Sequence, residues 1–172
     1  MYDNKTGLAV NTPKSYGKSI KAAQLIEGIS RFFPVDGDVS DQGTFGLPRA
    51  TLLPIIQAIR EEIAEVREVL STLEFRMVGG SVLVIYEADW DRAEAGIKKH
   101  LEGAPQNGEA EDAEEGDDDE EEKKENPPFK VKLIDFAHTR IEEGLGSDEG
   151  VLLGLETVLR LLDERIGQIT NA

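Results

Sequence analysis

The chain has 172 residues, contains no cysteine and carries a formal net charge of −16. Its length suits one domain with a real core, and the missing cysteine excludes a disulfide framework, a thiolate zinc site and a cysteine nucleophile. No apolar run reaches the ~18 residues that a membrane span needs, and the N-terminus lacks the basic flank and apolar stretch of a signal peptide. We therefore expect a soluble, intracellular protein that does not bind membranes.

Most of the negative charge lies in one segment. Residues 109–125 contain twelve acidic residues and two lysines, a net charge of −10, which leaves −6 for the rest of the chain. Because residues 103–128 have almost no apolar side chains, we predict that they form an acidic disordered insert. No basic stripe runs along the remaining sequence, so direct nucleic-acid binding is not expected.

The N-terminal third predicts turns and one helix. Residues 4–7 are typical of a turn between short extended pieces. Residues 19–33 have apolar side chains at spacings of three and four, which predicts a helix capped by Ser19 and ended by Pro34. Residues 35–47 have the composition of a loop. Their repeated aspartates do not have calcium-loop spacing, and the glutamate required at the twelfth position is absent.

The central part predicts a long helix and a strand. A continuous apolar stripe over residues 51–73 indicates a helix with Pro54 in its first turn. This stripe covers barely three heptads, which favours packing in a core over a coiled coil. Residues 82–86 are apolar and β-branched and predict a buried strand. A short amphipathic segment follows at Trp90–Leu101.

A second strand is predicted at residues 129–134 because apolar residues and lysines alternate there. It is the natural antiparallel partner of residues 82–86. Asp135 follows the strand at once, which places a carboxylate at the rim of a sheet, where a metal ion or a phosphate could bind. An aspartate that caps a turn or a helix is the other interpretation of the same pattern.

The C-terminal part predicts a loop after Thr139 and then a final helix. Ser147 is the expected cap of this helix, with Asp148 and Glu149 in the first turn, where the helix dipole favours acidic residues. The wide apolar face of the helix should pack on the sheet.

Several segments, in this order, resemble the inositol polyphosphate kinase family. Lys132-Leu-Ile-Asp-Phe-Ala-His-Thr139 and Asp148-Glu-Gly-Val-Leu-Leu-Gly-Leu155 are similar to its C-terminal signature. Ser15-Tyr-Gly-Lys-Ser19, Gly28-Ile-Ser-Arg-Phe-Phe33 and Gly80-Ser-Val-Leu-Val-Ile-Tyr-Glu87 are similar to earlier family segments. Within the family, the resemblance is greatest to the inositol polyphosphate multikinases, followed by the inositol hexakisphosphate kinases.

The resemblance covers nearly all of the chain except the acidic insert, and it implies an α+β fold. This would be the C-terminal lobe of the inositol polyphosphate kinase fold, an incomplete lobe with an antiparallel sheet packed with helices. Residues 1–102 would be its first part and residues 129–172 its second part, separated by the insert at 103–128. We expect a monomer located in the nucleus and the cytoplasm.

The resemblance also implies an enzyme that transfers the γ-phosphate of ATP to a hydroxyl of an inositol polyphosphate, with Mg²⁺ and ATP as cofactors. Asp135 would bind the magnesium ion that bridges the ATP phosphates, and Ile134 would pack against the adenine. His138 is similar to the histidine that reaches a substrate phosphate in multikinases. A lone histidine is more often structural, but the surrounding motif favours the substrate role.

Basic residues near the N-terminus are further candidates for substrate binding. Lys18 stands where the family has a basic residue, usually arginine, that faces substrate phosphates. Lysine keeps the charge but loses the bidentate fork. Lys14 and Lys21 could extend this phosphate-binding patch or could equally lie on a solvated face. Ser81 matches a family serine, and a hydroxyl bonded at the start of a strand is an equal alternative.

The central family motif (proline, three residues, aspartate, any residue, lysine, any residue, glycine) is absent from the 172 residues. It supplies the catalytic aspartate and a phosphate-binding lysine, so we expect no catalytic residue in this chain. The N-terminal lobe, with its ATP-holding lysine, is also missing, and Met1 aligns part-way through the family domain. We therefore expect a truncated kinase that is inactive or weakly active alone.

Two other functions stay open. The acidic insert could bind basic proteins such as histones or transcription factors, with the lobe as a non-catalytic scaffold, although such segments are usually solvated spacers. A helical structural module without a ligand is the third possibility, and it predicts no binding of inositol phosphates.

Overall fold

The structure, a computed structural model, describes residues 2–9, 11–37, 45–103 and 127–171. Nearly all of the predicted acidic insert, and part of the loop predicted at residues 35–47, lie outside the described residues, so the predicted division of the chain at 103 and 128 stays a prediction. The elements are β1 (Tyr2–Asp3), β2 (Leu8–Ala9), α1 (Lys14–Ser19), α2 (Leu25–Phe32), α3 (Arg49–Ser71), β3 (Phe75–Met77), β4 (Ser81–Tyr86), α4 (Trp90–Leu101), β5 (Phe129–Ile134), β6 (Thr139–Ile141) and α5 (Glu149–Asn171), with short 3-10 helices at Ala22–Gln24 and Phe136–His138. Among these helices, none is long and apolar enough to cross a membrane.

The described strands form three two-stranded antiparallel sheets: β1 with β2, β3 with β6, and β4 with β5. The turn predicted at residues 4–7 is confirmed, and it closes on Gly7 with φ +69°. Asn4 ties this hairpin to the start of α4, because its side-chain amide donates to the Ala88 carbonyl and its side-chain oxygen accepts from the Trp90 N–H, each at 3.0 Å.

The predicted pairing of the two long strands is confirmed, with Ser81 opposite Ile134 and Tyr86 opposite Phe129. The prediction that residues 82–86 are a buried strand is wrong. Their side chains alternate between a face that packs on the core and an outer face, where Leu83 is 38% exposed and Ile85 is 53% exposed. The reason is that α3 packs against β5 on the core side of this sheet, whereas Leu83 and Ile85 on the other side are exposed.

The single helix predicted at residues 19–33 is wrong, although its end before Pro34 is confirmed. The chain forms α1, then runs extended through Ile20 and Lys21 before the 3-10 helix and α2. Ile20 packs back on α2, where a Cβ at Gly28 would lie 3.0 Å from its Cδ1 atom. The apolar spacing therefore reflects contact across a bend in the chain, and the Ser19 hydroxyl donates to the Tyr16 carbonyl instead of capping a helix.

Helices α3 and α5 build the core. Helix α3 begins at Arg49, so Pro54 lies inside it and not in its first turn as predicted. Its apolar stripe contacts α5, α4 and β5, which confirms core packing over a coiled coil. The prediction that the last helix packs on the sheet is wrong, because α5 packs mainly on α3 and α2. The largest fully buried side chains come mostly from these helices: Phe33, Leu47, Leu52, Ile55, Ile56, Ile59, Ile63, Leu162 and Ile169.

Two further features differ from prediction near the C-terminus. The loop predicted after Thr139 begins instead with β6, which pairs with β3. Helix α5 is capped by Asp148 and not by Ser147. The Asp148 carboxylate accepts hydrogen bonds from the Gly150 and Val151 N–H groups, while the Ser147 hydroxyl donates to the Glu149 carboxylate.

Candidate functional site

Asp135 occupies a strained turn at the end of β5. Its backbone has φ +69° and ψ +50°, and it is the only non-glycine residue with a positive φ in the part of the chain that the structure describes. This left-handed conformation costs about 1–2 kcal/mol for most residues, and aspartate is among those that tolerate it. The side chain is exposed and makes no capping hydrogen bond to the 3-10 helix that follows. Asp135 therefore occupies the N-cap position of this helix without capping it through its side chain, and its carboxylate is exposed.

Ile134 lies on the outer face of the β4–β5 sheet. It is directly opposite Ser81, and alternation along the strands places Leu83 and Ile85 on the same face. This face is mixed, because Lys132 lies opposite Leu83 on it, and the half-buried Ile134 stands at its end next to Asp135. The Ser81 hydroxyl makes no hydrogen bond to any described residue, so the interpretation of it as a bonded strand-start hydroxyl gains no support.

His138 ends the 3-10 helix that begins one residue after Asp135. Its backbone carbonyl accepts a hydrogen bond of 3.1 Å from the Val78 N–H, which fixes its position beside β3. The side chain is exposed, and its imidazole has no partner among the described residues. His138 is therefore not a buried, hydrogen-bonded structural histidine. Substrate binding by His138 stays a prediction.

The side chains of Glu74 and Arg76 bind the backbone of the loop that precedes α5. The Glu74 carboxylate accepts from the N–H groups of Gly144 (2.8 Å) and Gly146 (3.3 Å). The Arg76 guanidinium donates to the carbonyls of Leu145 (2.9 Å) and Gly146 (2.9 Å). These residues were missed by sequence reasoning, because no local pattern shows that Phe75–Met77 pairs with Thr139–Ile141.

Asp148 joins the same region to α5. Its carboxylate accepts hydrogen bonds from the N–H groups of Met77, Val151 and Gly150, and the first of these bonds is the main reason that the pKa of Asp148 lies below its ordinary value. The strong preference for aspartate at helix starts could have identified the cap. The bond to Met77 comes from a residue far away in the sequence and had no local signal.

Three lysines were predicted to bind substrate phosphates: Lys14, Lys18 and Lys21. Helix α1, which contains the first two, is tied to α2 by the Arg31 guanidinium, which lies 5.0 Å from the centre of the Tyr16 ring. The end of α2 meets Tyr86, whose hydroxyl donates to the Phe32 carbonyl at 2.7 Å.

Tyr86 is at the opposite end of β4 from Ser81, roughly 17 Å away at the usual rise per residue. Ile134, Asp135 and His138 thus follow one another along the chain at the Ser81 end of the sheet, whereas the contacts of α1 and α2 lead to its Tyr86 end. A substrate role for the three lysines stays a prediction.

Metal binding at Asp135 depends on the kind of ion. The described residues contain no group of three or more histidine, aspartate or glutamate side chains that could hold a metal ion by themselves. Mg²⁺ does not need such a group, because it is usually held by one or two carboxylates and completes its shell with phosphate oxygens and water. A single exposed carboxylate at the end of a strand therefore fits a magnesium ion that arrives with a nucleotide.

The family model for inositol polyphosphate kinases matches residues 1–163. The chain belongs to the inositol polyphosphate kinase family. Among solved structures it is similar to the inositol phosphate multikinase Ipk2 from S. cerevisiae, whose structure contains ADP and Mn²⁺, with a TM-score of 0.57 and 24% sequence identity. A search of curated protein sequences found no match.

The structural match covers 90% of this chain and 50% of the Ipk2 chain, so this chain spans about half the length of that kinase. It confirms the predicted fold class, in which helices and small antiparallel sheets form part of the inositol polyphosphate kinase fold.

Proposed function

We propose that this chain supplies the metal-binding and phosphate-binding half of an ATP-dependent inositol polyphosphate kinase. The family model supports the class of reaction. The observation that carries the proposal is the placement of Asp135 at the end of β5. A left-handed turn holds it between Ile134 and the 3-10 helix that ends at His138, and its carboxylate makes no capping hydrogen bond. The structure of Ipk2 with ADP and Mn²⁺ supports nucleotide and divalent metal use in the family.

The three residues would act on different parts of the two substrates. Phosphoryl transfer depends mainly on positioning and on neutralising charge on the transferred group. Asp135 would hold Mg²⁺, which neutralises charge on the ATP phosphates. Ile134, diagonal to Leu83 on a face that also carries Lys132, would offer an apolar side chain to the adenine. His138 would donate a hydrogen bond to a phosphate of the inositol polyphosphate.

The 172 residues lack the proline–aspartate–lysine–glycine motif, so they offer no assigned group to accept the proton of the attacking hydroxyl. We therefore propose that this chain binds its ligands with little or no turnover. A monomeric state and a nuclear and cytoplasmic location remain predictions. Binding of basic proteins through the acidic insert concerns a segment outside the described residues.

Calorimetric titration of the chain with Mg·ATP, and separately with inositol trisphosphate, tests this function. We expect both ligands to bind to the chain. His138→Gln should weaken the binding of inositol trisphosphate and leave the binding of Mg·ATP unchanged. An ATP-consumption assay should show rates far below the ~1–100 s⁻¹ usual for kinases. If a folded chain, verified by circular dichroism, binds neither ligand, the proposed function is wrong.

A further inference from the structure

Two arginines face each other in the β3–β6 sheet. Arg76 and Arg140 are directly opposite in the antiparallel register. Like charges in this position destabilise a strand pair unless another group offsets them. The ladder continues with the hydrogen bond from the Val78 N–H to the His138 carbonyl. His138 ends the 3-10 helix two residues before Arg140, and Thr139 between them is extended (φ −110°, ψ 135°).

The two guanidinium groups are used differently. Arg76 donates to the backbone carbonyls of Phe75, Leu145 and Gly146, so it is committed to holding the chain around it. Arg140 donates through Nε to the Glu142 carboxylate. Its two terminal nitrogens donate to no described residue, and its side chain is 64% exposed. The fork of Arg140 is therefore open to solvent.

Three carboxylates lie near these arginines. Glu142 pairs with the Nε side of Arg140, which lowers the pKa of Glu142. Asp148 and Glu74 are each held by backbone N–H groups. None of the described carboxylates occupies the terminal nitrogens of Arg140, so an anion could bind there without displacing an existing hydrogen bond.

We propose that the terminal nitrogens of Arg140 and the imidazole of His138 form a phosphate subsite for the polyphosphorylated inositol acceptor. The inference rests on the proposed function and names a residue that this function did not include. An arginine fork suits a phosphate group because it can donate two parallel hydrogen bonds to it. A phosphate bound there would also offset the repulsion between Arg140 and Arg76.

The phosphate could belong to the inositol acceptor, to ATP, or to a free inorganic ion, and the test separates these sources. Wild type, Arg140→Met and Arg140→Lys are titrated with inositol trisphosphate, Mg·ATP and inorganic phosphate. Arg92→Met is the control, since Arg92 is also exposed and lies in α4. We expect Arg140→Met to lose about tenfold in affinity for inositol trisphosphate, a loss in the range of one charged hydrogen bond. Arg140→Lys should lose less, and Arg92→Met should lose nothing.

Mg·ATP affinity should be the same in all four proteins, and inorganic phosphate should bind far more weakly than the acceptor. If wild type binds inositol trisphosphate and Arg140→Met binds it equally well, the subsite is wrong while the proposed function stands. If Arg140→Met instead loses affinity for Mg·ATP, Arg140 binds the nucleotide and the proposed subsite for the acceptor is wrong. If wild type binds neither ligand, both proposals fail.

Glu142→Gln tests whether Arg140→Met acts only by disturbing the fold. This variant removes the charged partner of Arg140 and keeps the Arg140 guanidinium. We expect this variant to bind inositol trisphosphate at least as tightly as wild type. A loss equal to that of Arg140→Met would mean that the ion pair acts through folding, and it would overturn the subsite.

Discussion

The Asp148 carboxylate connects β3 to the start of α5, because its Oδ2 atom accepts a hydrogen bond of 3.0 Å from the Met77 N–H. Its Oδ1 atom accepts from the Gly150 N–H at 3.0 Å and from the Val151 N–H at 3.2 Å. One side chain therefore caps the last helix and fixes the strand that pairs with β6. Because β6 begins directly after His138, this capping residue also helps to position the candidate substrate-binding histidine.

Asp148→Ala should lower the free energy of unfolding by about 1–2 kcal/mol, the usual loss for an N-cap side chain. Glu94→Ala, at an exposed acidic residue beyond the first turn of α4, is the control and should change stability by less than ~0.5 kcal/mol. Urea unfolding followed by circular dichroism measures both. A loss no larger than that of the control would contradict the bridging role.

The contribution of Asp148 should depend on pH. Its folded pKa is lowered, chiefly by the Met77 hydrogen bond, so the ionised form stabilises the fold. This stability is fully present above the unfolded pKa of about 3.9 and is lost as the pH falls through the lower folded value. The stability difference between wild type and Asp148→Ala should therefore shrink below about pH 4. A constant difference down to pH 2 would show that the charge of Asp148 does not matter.

The left-handed backbone of Asp135 predicts an unusual order of stabilities. Asp135→Gly should stabilise the fold by about 1 kcal/mol, because glycine adopts this conformation without strain. Asp135→Asn should leave stability nearly unchanged, and Asp135→Ala should lower it. Unfolding in urea gives the order. If glycine proves to be the least stable of the three, Asp135 does not adopt this conformation in solution.

Replacing Arg165, a buried charged hydrogen-bond donor, should lower the free energy of unfolding. Its side chain donates to the Phe33 carbonyl through Nε at 3.2 Å and Nη2 at 2.9 Å, just after the end of α2. Arg165→Met keeps the length of the side chain and leaves that carbonyl without these bonds, so we expect a loss of about 1–3 kcal/mol.

Arg160→Met is the matched control on the same helix, since its exposed pair with Glu164 should contribute less than ~0.5 kcal/mol. Thermal and urea unfolding compare the two variants. Equal losses would mean that Arg165 acts only as an exposed charge.

The elements that were predicted well are those whose pattern is decided locally. The amphipathic segment predicted at Trp90–Leu101 is helix α4, and the alternating residues 129–134 form the predicted strand β5. The single helix at residues 19–33 was wrong because the spacing of Ile20 reflects a contact across a bend. Strand β6 was missed since it is three residues long and is stabilised by a partner distant in the sequence.

Within the candidate site too, the residues that a local motif marks were predicted, and those that depend on distant contacts were not. Ile134, Asp135 and His138 could be selected from one contiguous motif and its resemblance to a family. The left-handed backbone of Asp135 could not be predicted, because several residue types are compatible with such a turn. Arg140 was missed for a different reason: its relation to Arg76 exists only in the register of two distant strands.

The dependence of ADP affinity on magnesium tests the central claim most directly. Calorimetric titrations of wild type, Asp135→Asn and Asp91→Asn are compared in Mg²⁺ and in EDTA, since asparagine tolerates the left-handed turn and removes only the charge. We predict that Mg²⁺ strengthens ADP binding to wild type and to Asp91→Asn and has no such effect on Asp135→Asn. An equal gain from Mg²⁺ in Asp135→Asn would contradict the assignment of the metal to this carboxylate.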